Sequence, residues 1–311
     1  MVPDESSRSL SSGQAGAKDG DATAFAVDVP GGELRGWVTG DPGPRVLLLH
    51  GGPGVSFEYL DGLADEIGAG FRVAAYQQRG LEPSTLEGPF AVEREVADVL
   101  AVLDALGWDR AWLVGHSWGG HLLIHVAAAA PERLQGGLAI EPLGAVGDGG
   151  YETFDAEMVR RIPERDRARA LELDERDMRG ESSPEESLEG LRLAWPAYFA
   201  SPDHVMPFRS TRVSAPAYAG VFESLKAERP RLEAALGGVQ VPLGFVAGAR
   251  SPMPYDQAAA ATARAIPTAW LEVVDGAGHF PWFERPGCVR AALRRLTGRQ
   301  PPAERPAGSG S

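Results

Sequence analysis

The chain has 311 residues, of which 43% are hydrophobic and 23% are charged, and its formal net charge is −13. This balance is that of an ordinary globular protein and excludes a disordered, collagen-like or coiled-coil chain. The acidic charge argues against nucleic acid and an anionic membrane surface as partners, because binding phosphate needs a clustered basic face. We therefore expect the partner to be a small-molecule substrate.

Cysteine content and hydropathy narrow the class of protein further. Cys288 is the one cysteine, so it forms no internal disulfide, and we expect it to pack as a small apolar residue in the last helix. No apolar run approaches the roughly 20 residues of a membrane span, and residues 1–22 lack the apolar stretch of a secretory signal. These features predict a cytoplasmic protein.

The predicted strands, in chain order, are short apolar runs rich in β-branched residues, at 24–29, 33–38, 45–50, 71–76, 111–116, 136–141, 243–248 and 269–274. Helical periodicity separates most of them from the third strand onward, at about 57–68, 91–106, 118–129, 255–265 and 286–296. The alternation predicts an α/β fold with an eight-stranded, mostly parallel sheet and helices on both faces. The tight connection at 30–32 predicts an antiparallel hairpin at its start.

The alternation is interrupted between about 143 and 238, where the periodicity is helical and no strand is predicted. We interpret this stretch as a helical lid inserted after the sixth strand. Both ends of the chain are rich in Ser, Gly, Pro and charge, so burial cannot offset the entropy of ordering them. The predicted organisation is a core of 23–141 and 239–298, a lid of 142–238, and disordered tails of 1–22 and 299–311.

A G-x-S-x-G motif at 115–119 lies where an apolar strand meets a helix. A serine on such a sharp turn is strained and exposed, and crowding requires small residues two positions to either side. We therefore predict that Ser117 is a nucleophile. Upstream, the His-Gly-Gly-Pro-Gly loop at 50–54 follows the third strand, and we expect His50 to shape it. The backbone N–H groups of Gly52 and Trp118 are the predicted oxyanion hole.

His279 lies in a glycine-rich loop after the last strand. In the order nucleophile, acid, histidine, this late position is that of the general base, which we assign to His279. His121 and His125 form an i, i+4 pair on the helix after the serine. They lack a third ligand, so we interpret them as packing residues rather than a metal site.

Together the motifs at 50–54, 78–80, 117–119 and 278–279 resemble the α/β-hydrolase superfamily, and within it the proline iminopeptidase-like branch. The resemblance spans about 23–298. It implies the α/β-hydrolase fold and a serine hydrolase that needs no cofactor.

Two positions depart from the iminopeptidase pattern. Gln77 stands where that branch ordinarily has an aspartate, and residues 195–199 read Trp-Pro-Ala-Tyr-Phe where its lid has W-x-x-W-E. The glutamate of that motif helps to hold the free amine of the substrate. Without a carboxylate, a charged amine would lose its hydration with no partner, which costs several kcal/mol.

We therefore expect an uncharged or aromatic ester, lactone or amide as substrate, in a pocket that includes Trp195, Tyr198, Phe199 and Trp282. Acids of the lid, such as Glu152, Asp155 or Glu157, offer another way to hold an amine. Proline iminopeptidase activity therefore stays as an alternative.

The acid of the triad departs from the usual pattern of the superfamily. The superfamily usually carries an aspartate after the seventh strand, where this chain has Ser251, and a neutral serine cannot stabilise an imidazolium. Glu141 ends the sixth strand and should emerge at the same edge of the sheet as Ser117, as the acid of haloalkane dehalogenases does. We predict the triad Ser117–Glu141–His279.

Other readings of these acids stay open. In one alternative, Glu141 has no catalytic role and caps the entry to the lid or pairs with an arginine. Asp256 and Asp275 are then the other candidates for the triad acid. Ser251 also leaves open a non-hydrolytic or weakly catalytic, ligand-binding member of the fold.

Overall fold

Eight strands form one sheet in the order β1-β2-β4-β3-β5-β6-β7-β8. The computed structural model describes residues 22–40, 42–208 and 211–298. The strands are β1 Thr23–Val29, β2 Gly32–Thr39, β3 Arg45–Leu49, β4 Arg72–Tyr76, β5 Ala111–His116, β6 Leu134–Ile140, β7 Leu243–Gly248 and β8 Ala269–Val274. The predicted α/β-hydrolase fold, with its eight-stranded and mostly parallel sheet, is confirmed.

The pairing of the strands gives the sheet two parts. β1 pairs antiparallel with β2, which confirms the predicted hairpin, and β2 pairs antiparallel with β4. All other neighbours, from β4 through β3 and β5 to β8, are parallel. The carboxyl ends of β3 and β5 to β8 therefore share one edge, where ligands of open α/β sheets bind.

Helices follow most strands from β3 onward. In the described residues the α-helices are α1 Leu60–Ile67, α2 Val92–Ala105, α3 Trp118–Ala129, α4 Tyr151–Arg161, α5 Glu164–Met178, α6 Pro184–Ala194, α7 Ala215–Ala235, α8 Ala259–Ala265, α9 Pro281–Glu284 and α10 Cys288–Thr297. Each of the five predicted helices is present, although α1 and α8 begin a few residues later than the periodicity indicated.

Alternate residues of each central strand pack on opposite faces of the sheet. In β3, Leu47 and Leu49 belong to the buried core shared with α2 and α3, whereas Val46 and Leu48 belong to the core shared with α1 and α10. Strands that are apolar on both faces are typical of a parallel sheet covered by helices on both sides.

The helices α4 to α7 lie between β6 and β7. We call the segment Tyr151–Ala235 the helical insertion. The boundaries predicted for the lid and core stay predictions. The tails predicted at 1–22 and 299–311 lie outside the described residues, apart from Ala22.

Two expectations from the sequence concern membrane-spanning helices and the packing of Cys288. Among the described residues, no helix combines the length and apolar character needed to cross a membrane. Cys288 begins α10 and is partly buried, and burial raises the pKa of its thiol to about 12. The thiol is therefore protonated at neutral pH.

A buried ion pair anchors the loop after β4 to α2. The guanidinium of Arg79 donates from Nε and Nη2 to the two carboxylate oxygens of Asp98, at 2.7 and 2.9 Å. Both side chains are almost fully buried, so neither charge has water as an alternative partner.

Replacing Arg79 alone should therefore destabilise the protein strongly. We expect Arg79→Met to lower the free energy of unfolding by about 3–5 kcal/mol, because the Asp98 carboxylate is left buried and unpaired. The matched control is Arg231→Met, which removes an exposed pair with Glu93 and should cost under about 1 kcal/mol. Urea unfolding measures both, and equal effects would contradict this account of the pair.

Candidate active site

The predicted site residues lie at the ends of neighbouring parallel strands. Ser117 follows β5, Glu141 follows β6, Ser251 lies three residues after β7, and His279 lies in the loop after β8. Because these four strands are consecutive in the sheet, residues far apart in sequence meet at one edge.

Ser117 has the strained backbone expected of a serine between a strand and a helix. Its φ is +54° and its ψ is −118°, and its N–H donates to Ile140 O at 2.8 Å. A Cβ on Gly115 would lie 2.1 Å from Gly119 O, and a Cβ on Gly119 would lie 2.1 Å from Leu49 O. The flanking glycines are therefore required by close backbone contacts, as the motif indicated.

Glu141 is the second residue with unusual backbone geometry. Of the described residues other than glycine, Ser117 and Glu141 alone have positive φ, and that of Glu141 is +51°. Such strain concentrates at functional sites. The Glu141 side chain is fully buried. Its Oε1 accepts from the N–H of Gly248 and its Oε2 from the hydroxyl of Ser251.

The same carboxyl group contacts the predicted base. Oε2 of Glu141 lies 3.1 Å from Nδ1 of His279, so Ser251, which replaces the usual aspartate, supports the glutamate instead. Burial alone raises the pKa of Glu141, and the hydrogen bonds that Ser251 and Gly248 donate to its oxygens favour the carboxylate and oppose that rise. Burial lowers the pKa of His279 to about 3. A neutral imidazole can accept a proton.

The loop that carries Gly52 is held by buried polar side chains. Nε2 of His50 accepts from the N–H of Gln78 at 3.0 Å, and Nδ1 of His50 lies 3.0 Å from Gly51 O. Burial lowers the pKa of His50 to about 4. Oε1 of Gln77 accepts from the N–H of Phe57 at 3.0 Å. The amide of Gln77 therefore fixes the Gly52 loop instead of contacting a substrate.

Two cavities meet at Ser117. The smaller, of about 200 Å³, is walled by the helical insertion and includes Trp118. The larger, of about 1180 Å³, includes His279. Ser117 and Gly52 line both cavities. As the first residue of α3, Trp118 has an N–H without an acceptor inside the helix. The predicted nucleophile, base and oxyanion donors thus each line at least one of two cavities that share Ser117 and Gly52.

The aromatic residues predicted to bind substrate divide into two groups. Tyr198 lines both cavities, and Trp195 and Trp282 line the larger one. Phe199 lines neither cavity. It is buried and stacks on Phe280 with ring centroids 5.1 Å apart, because the chain turns after the short helical turn at Trp195–Tyr198 and directs this ring into the core.

The other sequence-predicted residues have structural surroundings. His121 and His125 are buried, with their Nε2 atoms 3.2 Å apart, and Nδ1 of His121 lies 3.0 Å from Leu143 O. Among the residues that the structure describes, no group of three or more His, Cys, Asp or Glu side chains is placed to hold a metal ion.

Sequence reasoning missed three residues that hold this site. Glu284 accepts from the N–H groups of Gly278 and Ala200, at 2.8 and 2.7 Å, and so ties the His279 loop to the helical insertion. Tyr59 and His116 contact each other. His116 is the first of the two variable residues in the G-x-S-x-G motif, so the motif could have pointed to it. No local pattern pointed to Tyr59 or Glu284.

The sequence of residues 46–292 matches the family model described as the alpha/beta hydrolase family. The chain belongs to this family. Curated relatives match over shorter stretches. The chain is 36% identical over 101 residues to epoxide hydrolase B of Mycobacterium tuberculosis, covering 32% of this chain and 28% of that protein.

A similar match is to the proline iminopeptidase of Lactobacillus delbrueckii subsp. bulgaricus, 37% identical over 99 residues, covering 29% of this chain and 33% of that protein. The chain thus matches about a third of the length of these relatives. No single branch of the family is favoured by such matches.

Solved structures agree over nearly the whole chain. An alpha/beta fold family hydrolase from Bacillus anthracis str. Sterne has a TM-score of 0.69 at 16% identity, covering 89% of this chain and all of the other. VinJ has a TM-score of 0.68 at 21% identity, covering 90% of this chain and 100% of the other. At these identities the likeness concerns the fold.

The buried histidine predicts an unusual pH profile. If His279 acts as the base with ionised Glu141 as its partner, activity is lost when this buried pair takes up a further proton as the pH falls. Burial of the imidazole and the hydrogen bonds to the carboxylate both oppose that uptake. We expect the acidic limb of kcat/KM against pH to lie below pH 6.5, the ordinary value for histidine. A limb at or above 6.5, measured with an uncharged ester, would contradict this.

Proposed function

We propose that the protein is a serine hydrolase that cleaves a small ester, lactone or amide through an acyl-enzyme on Ser117. The observation that carries the proposal is the hydrogen bond between Nδ1 of His279 and Oε2 of Glu141, beside a strained serine that lines the same cavity as the imidazole. Hydrolase chemistry is common to the family and to its named relatives.

The proposed reaction has two halves. Oγ of Ser117 attacks the carbonyl carbon, His279 takes the hydroxyl proton, and the N–H groups of Gly52 and Trp118 stabilise the oxyanion. His279 then gives its proton to the leaving group, which departs. Water attacks the acyl ester with His279 as base, releasing the acid and free Ser117. Glu141 stabilises the imidazolium in both halves.

The two cavities suggest how a substrate lies. The leaving group takes its proton from His279 and therefore occupies the larger cavity, which contains that residue. The acyl group then extends past Trp118 into the smaller cavity. Phe154, Met158 and Phe222 line this space and favour an apolar acyl chain.

An epoxide is a poorer candidate substrate, although epoxide hydrolases are among the relatives. Attack of Ser117 on an epoxide carbon would open the ring and leave an ether on the serine. An ether has no carbonyl carbon for water to attack, so the enzyme would not be regenerated. A serine nucleophile is suited to acyl compounds, whose intermediate is a hydrolysable ester.

A fluorophosphonate probe tests the nucleophile. We expect the protein to be labelled at Ser117, and Ser117→Ala to lose the label, because the probe needs a serine activated by a base. Peptide mapping by mass spectrometry locates the adduct. A folded protein that stays unlabelled would overturn the proposal and favour the ligand-binding alternative.

The role of Glu141 is tested by Glu141→Gln. We expect kcat to fall by about 10⁴-fold with folding intact, as happens when a serine triad loses its carboxylate. Glu132→Gln is the matched control, since Glu132 is exposed and lies just before the first residue of β6, whereas Glu141 follows the last.

A rescue variant strengthens this test. Adding Ser251→Asp to Glu141→Gln should restore part of the lost kcat, because Ser251 already contacts the Glu141 carboxyl. Circular dichroism checks the fold. Turnover of Glu141→Gln close to wild type would reject the proposed triad.

A second candidate, an aminopeptidase of the proline iminopeptidase type, is favoured by three carboxylates in the smaller cavity, Asp155, Asp174 and Asp177. Partial desolvation and the other two acids raise the pKa of Asp174 to about 6, so a bound ammonium group would be stabilised there.

Comparison of a prolyl arylamide with a neutral aryl ester separates the two candidates. Hydrolysis of the arylamide that falls at least about tenfold in Asp174→Asn, with the ester unaffected, would favour the aminopeptidase. If only the ester is hydrolysed, that candidate is rejected.

A further inference from the structure

Two residues without an assigned role connect the predicted oxyanion loop to the predicted base. Tyr59 directly precedes α1, and His116 ends β5 next to Ser117. Oη of Tyr59 contacts the N–H of Gly51 and lies 3.0 Å from Nδ1 of His116. On the other side of the ring, Nε2 of His116 lies 2.9 Å from O of His279.

The direction of each hydrogen bond follows from the groups at the two ends of this hydrogen-bonded series, the N–H of Gly51 and the carbonyl of His279. The N–H of Gly51 can only donate, so the Tyr59 oxygen accepts from it and directs its own proton to Nδ1 of His116. The carbonyl oxygen of His279 can only accept, so Nε2 of His116 carries the ring proton. One donor pattern therefore satisfies all three contacts.

Burial keeps this pattern unchanged across ordinary pH. It lowers the pKa of His116 well below its usual value and raises the pKa of Tyr59 above its usual value. The imidazole is therefore neutral and the phenol protonated. A charged His116 would carry a proton on both nitrogens and lose the bond from Tyr59.

Packing holds both rings in place. The Tyr59 ring meets His116 edge-on, with centroids 5.5 Å apart, and lies nearly parallel to Trp282 at 6.3 Å. The backbone of His279 is also held from the other side, because its N–H donates to Tyr198 O at 2.8 Å.

We propose that Tyr59 and His116 are positioning residues, which hold the Gly51–Gly52 loop and the His279 backbone at a fixed separation across Ser117. This inference rests on the proposed function, since the loop matters only if Gly52 stabilises an oxyanion and His279 acts as base. Both residues line the larger cavity, but their hydrogen bonds go to backbone groups and to each other rather than to the Ser117 hydroxyl or the His279 ring nitrogens. Their contribution is to keep donors and base aligned, because displacements of about 1 Å reduce rates by as much as 10²-fold.

The test is a double-mutant cycle with Tyr59→Phe and His116→Gln, assayed with a neutral aryl acetate. Tyr59→Phe keeps the ring packing and removes only the hydroxyl. We expect it to lower kcat by about 10- to 100-fold, less than the loss of an oxyanion donor itself, with KM changed less than about threefold. Tyr255→Phe is the matched control, because Tyr255 is exposed, and it should leave kcat unchanged.

The double variant tests the connection itself. Since both residues serve one chain of hydrogen bonds, the double variant should lose little more kcat than the worse single variant. Multiplied effects, or a kcat for Tyr59→Phe within twofold of wild type, would overturn the proposal. So would a loss of thermal stability with unchanged kcat per folded molecule, which is the signature of a purely structural role.

Labelling with a fluorophosphonate separates this proposal from the function on which it rests. If wild type is labelled and Tyr59→Phe is labelled at least tenfold more slowly, both are supported. Equal rates reject the positioning role and leave the serine hydrolase intact. An unlabelled, inactive wild type rejects the proposed function and, with it, this inference.

Discussion

The contact between Nδ1 of His279 and Oε2 of Glu141 is the interaction on which the candidate site depends. It joins the ends of two strands separated in the sheet by β7. The last residue of β7 contributes the N–H of Gly248, and the loop after β7 contributes the hydroxyl of Ser251. Three hydrogen-bond contacts thus converge on one fully buried carboxyl group. Burying an acid costs free energy unless such hydrogen-bond partners surround it. The buried position of Glu141 therefore depends on the groups that the neighbouring strand ends supply.

Much of this arrangement was accessible from sequence because it depends on strand ends. In a parallel sheet, residues that follow neighbouring strands meet at one edge, so Ser117, Glu141 and Ser251 could be placed together from their positions alone. The strained backbone at Ser117 and Glu141 agrees with that placement, because the chain must turn sharply where it leaves β5 and β6.

Other features required the folded chain. Phe199 belongs to an aromatic run, yet it stacks on Phe280 in the core while Tyr198 beside it faces both cavities. A short helical turn decides between these directions, and its rotation is not encoded in the composition of the run. Tyr59 and His116 are 57 residues apart in the sequence and meet only in the folded chain, so no local pattern predicts their contact.

The central claim is that the Glu141 carboxyl group accepts the Nδ1 proton of His279, and proton NMR tests it most directly. The account predicts a far-downfield imidazole proton resonance in wild type and in Ser117→Ala, and its loss in His279→Gln and Glu141→Gln. A resonance assigned to His279 Nδ1–H that persists unchanged in Glu141→Gln would contradict the account.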